Sequence, residues 1–506
     1  MSTIVRLLRY LSVMALNCLK YDMNNFTQKV LITLVVVFFT NAIHAMPREE
    51  ARHMLTRTGF GANFDEISRY SKLSYKQAVE QLLNEVNEDL VIQPPAWLHK
   101  PIAQNNKKFK QLLPEQKKAI RKKRKMQESQ LKGWWLAEMA NTESPFTEKM
   151  VLFWHNHFTS SLKKVKQPVL LYRQNELFRK HALGNYKELV HAISKDPAML
   201  GYLDNFKSTK KSPNENFARE LLELFTLGEG NYSEQDIKQA ARAFTGWSVD
   251  RKTGKYVFRK ARHDFGEKTF LGEQGKLNGD DIIDIIFQQP EVATFLVNKL
   301  WLEFVSETPN EAEIQYLAEY FRNNNYELKL LMRELLLSKS FRSSSNYARL
   351  IKSPIDYIVG TLRMLEIPVK DGRAAAFASA HLGQNVFDPP NVKGWSGGKD
   401  WITSSSLLTR QQLLERMFRG KAAGSNKQKK LLDRKFDMQK MLNSENQKVD
   451  LQPFLENIAN KYSKLNILEL LLADKPIDTD LAATNEAKFN IDELMRVMSD
   501  PVYQLK

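Results

Sequence analysis

Apolar residues recur along most of this chain at spacings of three and four positions, the pattern of a helix with one buried face. Regular runs of this kind predict helices at 167–181, 186–195, 280–288, 291–304, 311–323, 327–337 and 354–365. The one clear β signal is the run at 247–249, which can pair with 256–258 across a polar turn. The pattern therefore predicts an all-α protein, a large helical domain with one small β-hairpin near 247–258.

The segment 214–247 reads as two helices joined by a tight turn. Asn214 and Ser233 are placed to cap the two helices, and Gly228 can end the first one in a left-handed conformation. At about 100° per residue, the first helix has one apolar and one polar face. Glu220 lies at the boundary between them, where a carboxylate is either a solvated surface group or a partly buried group with a partner.

Residues 148–158, EKMVLFWHNHF, are apolar on nearly all sides, which predicts a buried helix. His157 shares a face with Phe153 and Trp154, whereas His155 lies about 200° away, so a regular helix cannot bring both rings to one ion. A buried imidazole must still find hydrogen-bond partners. Two interpretations of His157 stay open: a structural histidine, or a catalytic or ligand-binding one.

The net charge of +17 first suggests a nucleic-acid partner, but the charge is concentrated in one segment. Residues 100–132 contain 12 Lys and Arg against 2 Asp and Glu. Aromatic residues, which stack on bases, are rare in this segment, where Phe109 is the one example. We therefore predict no nucleic-acid partner. The segment is interpreted as a basic insert, a solvated and partly helical arm that makes weak contact with an anionic surface.

The N-terminal region has the layout of a secretory signal peptide, residues 1–45. The apolar run VLITLVVVFF follows Lys29 and precedes a cut after Ala45, and Met23 is a candidate true start. The run is shorter than the about 20 apolar residues of a spanning helix, so an uncleaved membrane anchor is the less favoured alternative. The signal peptide predicts a periplasmic or secreted protein. Because Cys18 precedes the cut, the mature protein is expected to lack disulfides. The mature chain is expected to contain N-terminal helices (46–99), the basic insert (100–132), a helical core domain (133–415), a polar linker (416–450) and C-terminal helices that pack on the core (451–506).

Five blocks of the sequence carry a family resemblance: FWHNHF, DPAMLGYLDN, NENFARELLELFTLGEGNYSEQDIKQAARAFTGW, RHDFGEKTFLG and LGQNVFDPPNVKGWSGGKDWI. In this order, over about residues 52–412, they closely resemble the domain-of-unknown-function 1800 family, and MSDPVYQLK resembles its closing segment. The family is described as bacterial and largely exported. The resemblance also implies a partner, a secreted protein of the domain-of-unknown-function 1501 family. It implies no particular reaction, because the family has no assigned activity.

The residues of these blocks that are capable of chemistry suggest a pocket of His, carboxylate and amide groups. The expected catalytic residues, which should face one common pocket, are His157, Glu220, His263 and Asp264. The expected ligand-binding residues are Asp204, Asn205, Asn216, Arg219, Arg242 and Trp395. A divalent metal ion is the candidate cofactor, with His155, His157 and His263 as its candidate ligands. Trp395, in the loop 387–401, is interpreted either as a platform for a sugar ring or as a plug over the core.

Two classes of function remain open. The first is an exported hydrolase that acts on a cell-envelope or extracellular polymer. The second is a non-catalytic partner or maturation protein for a co-exported protein. The sequence contains no HExxH, GxSxG, P-loop or Rossmann signature, so the common hydrolase and nucleotide-binding motifs are missing. Convergence of His157, Glu220 and His263 in one cleft would favour the hydrolase.

Overall fold

The computed structural model describes residues 45–99, 111–250, 253–419, 464–483 and 490–506. The predicted signal peptide with Cys18, the first part of the basic insert and most of the polar linker lie outside these ranges. Within them the chain forms 22 α-helices and two hairpins of two strands each, so the predicted all-α class is confirmed. None of the helices in these ranges is long and apolar enough to span a bilayer.

The first half of the described chain contains α1 (Arg48–Thr58), α2 (Phe64–Tyr70), α3 (Tyr75–Asn84), α4 (Pro114–Asn141), α5 (Pro145–His157), α6 (Leu162–Val165), α7 (Pro168–Lys180), α8 (Tyr186–Ser194), α9 (Pro197–Tyr202), α10 (Glu215–Glu220) and α11 (Glu234–Ala243). Asn214 and Ser233 cap α10 and α11 with their side-chain oxygens, as predicted. A π-helix, Leu221–Thr226, continues α10. The apolar face predicted for one regular helix therefore belongs to an α-helix followed by a π-helix.

The second half contains α12 (Gly279–Ile286), α13 (Glu291–Phe304), α14 (Glu311–Asn323), α15 (Leu328–Leu337), α16 (Lys339–Arg342), α17 (Pro354–Met364), α18 (Arg373–His381), α19 (Ser404–Arg419), α20 (Lys464–Leu471), α21 (Thr479–Ala483) and α22 (Ile491–Ser499). The predicted bounds 291–304 and 311–323 coincide with α13 and α14. Both helices carry a regular apolar face, which explains why periodicity alone located them.

The predicted hairpin is present, with β1 (Trp247–Val249) antiparallel to β2 (Tyr256–Phe258). A second hairpin, β3 (Lys268–Phe270) with β4 (Glu273–Gly275), was not predicted. Its two turn residues, Leu271 and Gly272, both have positive φ, at 48° and 89°. Such turns usually carry Asn-Gly or Asp-Gly, so the leucine at the first position gave no indication of a hairpin turn.

Helix α4 joins the basic insert to the core without a break. Residues 114–126, in its first half, are largely exposed, as expected for a solvated arm. Trp135, in its second half, is fully buried. One cluster of buried apolar side chains runs through the described residues, from Met54 in α1 through Trp154 in α5 to Tyr503 after α22. Helices from the N-terminal, central and C-terminal parts therefore share one core.

Candidate functional site

A cavity of about 550 Å³ opens between α5, α13 and the loop from α18 to α19. Helix α5 contributes Asn156 and His157, α13 contributes Lys299 and Glu303, and the loop contributes Trp395. The volume lies within the range of about 300–1,000 Å³ that is usual for small-molecule sites. The segments 148–158 and 387–401, which lie far apart in the sequence, thus line one cavity.

The end of α5 holds the loop in place. Asn156 accepts a hydrogen bond with its Oδ1 from the backbone N–H of Trp395, at 2.7 Å. Thr159 donates to the carbonyl oxygen of Val392, also at 2.7 Å. Gly394 has φ of +92°, and a Cβ there would lie 2.3 Å from Asn156 Oδ1. Only glycine combines this backbone conformation with so close an approach.

Trp395 forms part of the cavity wall and is 6% exposed. Its indole N–H is buried and has no hydrogen-bond partner among the described residues. The indole is a donor only, and an unpaired buried donor is unfavourable by about 1–3 kcal/mol. A residue of the cavity wall therefore carries a donor that the described residues leave unsatisfied.

His157 lines the same cavity and is 4% exposed. Its Nε2 lies 3.0 Å from the carbonyl oxygen of Phe225. A carbonyl oxygen only accepts, so Nε2 carries the proton and Nδ1 presents a lone pair. Nδ1 is buried and lacks a partner in the described part of the chain. Burial, together with the charge of Lys299, lowers the pKa of His157 well below its ordinary value, so the ring is neutral.

Lys299 is the second polar group on this side of the cavity. Its Nζ donates to the carbonyl oxygen of Leu224 at 3.0 Å and lies 4.7 Å from the ring centroid of Phe295. No carboxylate in the described ranges forms an ion pair with it. Burial lowers the pKa of Lys299 to about 8. The amine is therefore only partly protonated above neutral pH and lacks an anionic partner.

The end of the π-helix leaves two backbone carbonyls free to accept these bonds, because the last carbonyls of a helix have no partner within it. Within Leu221–Thr226 the hydrogen-bonding pattern is wider than in an α-helix, and the N–H of Leu227 bonds back to Leu222. The carbonyls of Leu224 and Phe225 then accept from Lys299 and His157. Such π-helical turns are frequent at functional sites.

A network of four charged side chains forms another part of the cavity wall. Lys149 lies 2.9 Å from Asp356 and 2.8 Å from Glu303. Lys506 lies 2.7 Å from Asp356 and 3.4 Å from Glu303. Burial alone would raise the pKa of Asp356, but the charges of Lys149 and Lys506 outweigh it and hold that pKa well below its ordinary value. Two cations thus balance two carboxylates.

Of the four predicted catalytic residues, the cavity lining contains His157. Glu220 is half-buried outside the lining, where burial and the neighbouring Glu223 raise its pKa while Lys393, on the cavity rim, lowers it. His263 donates Nδ1–H to the carbonyl oxygen of Thr245 at 2.8 Å. The structure therefore does not bring Glu220 and His263 into the cavity with His157.

Asp264 and Arg242 form a bidentate ion pair, with nitrogen–oxygen distances of 2.8 and 3.3 Å. The hydrogen bond from Arg242 lowers the pKa of Asp264. Asp264 also accepts from the backbone N–H of Gly266. This pair fixes the loop between β2 and β3 and lies outside the cavity lining.

The remaining predicted ligand-binding residues bond to their local surroundings. Asp204 pairs with Lys207 and Lys164, and Arg219 pairs with Glu234 on the surface. Asn205 and Asn216 donate to backbone carbonyls at 3.4 and 3.5 Å. Trp395 is the one member of this set in the cavity lining.

His155 is a core histidine, with its Nε2 accepting from Asn175 at 3.1 Å and its ring packed against Trp135 and Phe387. The predicted metal ligands His155, His157 and His263 do not meet at one site. Across the described ranges, no group of three or more His, Cys, Asp or Glu side chains is arranged to hold a metal ion.

Sequence reasoning missed the charged residues of the cavity, which are Lys149, Lys299, Glu303, Glu307, Asp356, Lys393, Lys399 and Lys506. One signal was available, because Lys149 lies inside a segment read as buried on nearly all sides. A lysine is rarely fully buried without a partner, so its position indicated an acidic partner elsewhere.

Comparison with protein-family models gave a match to one family, described as a protein of unknown function (DUF1800), over residues 53–503. The match covers nearly the whole chain. Searches of the curated proteins and of the solved structures returned no significant match.

Proposed function

The chain belongs to the DUF1800 family, whose function is unknown, and we propose that this protein is an exported hydrolase with its active site in the cavity around His157. One observation carries the proposal. Nδ1 of His157 is a buried acceptor without a partner among the described residues, in the wall of a cavity of ligand size. A neutral imidazole with a free lone pair can take a proton from a water molecule.

We assign the reaction as hydrolysis of an ester on a cell-envelope or extracellular polymer. Water attacks the ester carbonyl carbon while Nδ1 of His157 takes one of its protons. The carbon–oxygen bond to the leaving group then breaks, and the imidazolium returns the proton to the departing alkoxide. Ester and water become a carboxylic acid and an alcohol, so atoms and charge balance.

Lys299 and Trp395 supply what this reaction needs besides a base. The tetrahedral intermediate carries a negative oxygen, which the indole N–H of Trp395 stabilises, while the charge of Lys299 attracts the substrate to the cavity. The N–H of Trp395 has no other partner in the described chain, and Lys299 has no carboxylate. A hydrogen-bond donor that has no competing acceptor, as in Trp395, is suited to a charge that appears only during the reaction.

His157→Gln tests this assignment. Purified variant and wild type are assayed for release of acid from acetylated polysaccharides and from peptidoglycan. The expected loss of rate is about 10²–10⁴-fold, the usual contribution of a general base. His191→Gln is the matched control, because His191 pairs with Asp280 and Asp284 away from the cavity.

A folded His157→Gln variant with undiminished activity would refute the assignment. A wild-type protein inactive on every such polymer would instead favour the alternative function. That alternative is a non-catalytic partner or maturation protein for a co-exported protein of the DUF1501 family.

Export is a separate part of the proposal and rests on the signal-peptide layout of residues 1–45. We expect the mature chain to begin at or near Met46 in the periplasm or medium. N-terminal sequencing of the protein from those fractions measures this. An intact chain in the cytoplasm would contradict export without affecting the assignment of His157.

A further inference from the structure

The lysines on the rim of the cavity outnumber the free carboxylates. Lys149 and Lys506 are balanced by Glu303 and Asp356 in the buried network. The other charged side chains of the lining are Lys299, Lys393, Lys399 and Glu307. None of these four forms an ion pair within the described ranges, so the open part of the cavity carries an excess of positive charge.

Within this positively charged part of the cavity, Lys299 is the group that a bound anion would stabilise most. Its amine is held between a carbonyl oxygen and an aromatic ring, and burial lowers its pKa to about 8. A buried ammonium is stabilised most by an anion within hydrogen-bond distance. A bound anion would therefore restore the charged form of Lys299.

Two unpaired groups define the rest of the ligand. The indole N–H of Trp395 requires an acceptor, and Nδ1 of His157 requires a donor, which is the attacking water of the proposed reaction. Phe153 and Trp401 add apolar surface to the same lining. A molecule with an anionic group, several hydroxyl groups and flat apolar faces meets all these requirements, and a sugar acid or sugar phosphate is such a molecule.

We propose that the substrate is an anionic glycan whose carboxylate or phosphate binds Lys299, with Lys393 and Lys399 attracting the polymer at the rim. This inference rests on the proposed ester hydrolysis and names its substrate class. It also has a consequence for the base. The charge of Lys299 is one of the causes that lower the pKa of His157, so an anion bound at Lys299 raises that pKa and strengthens the base when substrate is present.

Calorimetric titration tests the inference with three probes: trigalacturonate, mannose 6-phosphate and the neutral cellotriose. We expect the wild type to bind at least one anionic probe about tenfold or more tightly than cellotriose, as one charge-assisted contact provides. Lys299→Met should abolish this preference, while Lys238→Met, an exposed lysine on α11, should not. Preference for trigalacturonate identifies the anion as a carboxylate, and preference for mannose 6-phosphate identifies it as a phosphate.

Equal binding of charged and neutral probes, or an unchanged preference in Lys299→Met, would overturn the inference. NMR titration of the His157 ring gives a second measurement, because its pKa should rise when the preferred anion binds. The two proposals fail separately. Hydrolysis of neutral polymers that depends on His157, without anion preference, refutes the substrate class alone, and anion binding without any hydrolysis refutes the reaction alone.

Discussion

Replacing Asp356 by Asn removes the centre of the buried charge network while conserving the shape of the side chain. Asp356 is 4% exposed and accepts from Lys149 at 2.9 Å and from Lys506 at 2.7 Å. In the variant, Glu303 is the remaining carboxylate for the ammonium groups of Lys149 and Lys506. These two side chains are 2% and 5% exposed. Its oxygen can still take part in the cap of α17, where Asp356 now pairs with Ser353.

The expected loss of stability is about 3 kcal/mol, the lower end of the range of 3–5 kcal/mol for breaking a buried ion pair from one side. The lower end applies because Glu303 remains. Urea denaturation at pH 7 measures the loss as a shift in the midpoint at unchanged slope. Asp371→Asn is the control, since Asp371 pairs with Arg373 at the surface, where ion pairs contribute below about 1 kcal/mol.

The same variant predicts a pH dependence. In the folded protein the pKa of Asp356 lies well below its ordinary value of 3.8. Its contribution to stability is therefore fully present above pH 3.8 and is lost as the pH falls through the folded pKa. The difference in stability between wild type and Asp356→Asn should shrink below about pH 4. A difference below about 1 kcal/mol at pH 7 would refute the reasoning, because the buried ion pair would then stabilise the fold no more than a surface pair does.

Two further predictions concern the cavity. Gly394→Ala should lower stability by about 1–3 kcal/mol in urea denaturation, because it forces φ of +92° and a contact of 2.3 Å with Asn156. Gly397→Ala, where a Cβ meets no atom within 4 Å, should have little effect, and equal losses would contradict this. The kcat/KM of ester hydrolysis, which reports the free enzyme, should decline as the pH rises through about 8, where Lys299 loses its proton, and Lys299→Arg should move this decline to higher pH. A decline at the same pH in the arginine variant would show that Lys299 is not the group responsible.

The helices could be predicted from the sequence because their information is local. The periodicity at 291–304 and the cap at Ser233 each depend on residues within a few positions. The π-helix at Leu221–Thr226 could not be predicted in this way. A helical wheel assumes about 100° per residue, and the wider turn displaces every residue that follows Glu220. The proposed pocket around Glu220 depended on that wheel.

The cavity depends on information that is not local. Lys149 and Asp356 are separated by 207 positions, and Asn156 and Trp395 by 239. A single amino-acid sequence carries no signal for such distant pairs. Lys299 and Glu303 are four positions apart on one helix, a spacing equally typical of a solvated face. Only the fold shows that this face lies against a cavity.

The FWHNHF block shows why a motif rich in histidine is not by itself a ligand set. Its consecutive residues point in different directions because a helix turns by about 100° per residue. Trp154 and His155 pack in the core, and Asn156 holds the loop that carries Trp395. His157 belongs to the cavity lining, and its Nδ1 is buried without a hydrogen-bond partner among the described residues. The block therefore provides core packing, a contact that positions the loop and one candidate catalytic group, His157. The other polar groups of the proposed site come from α13 and from the loop.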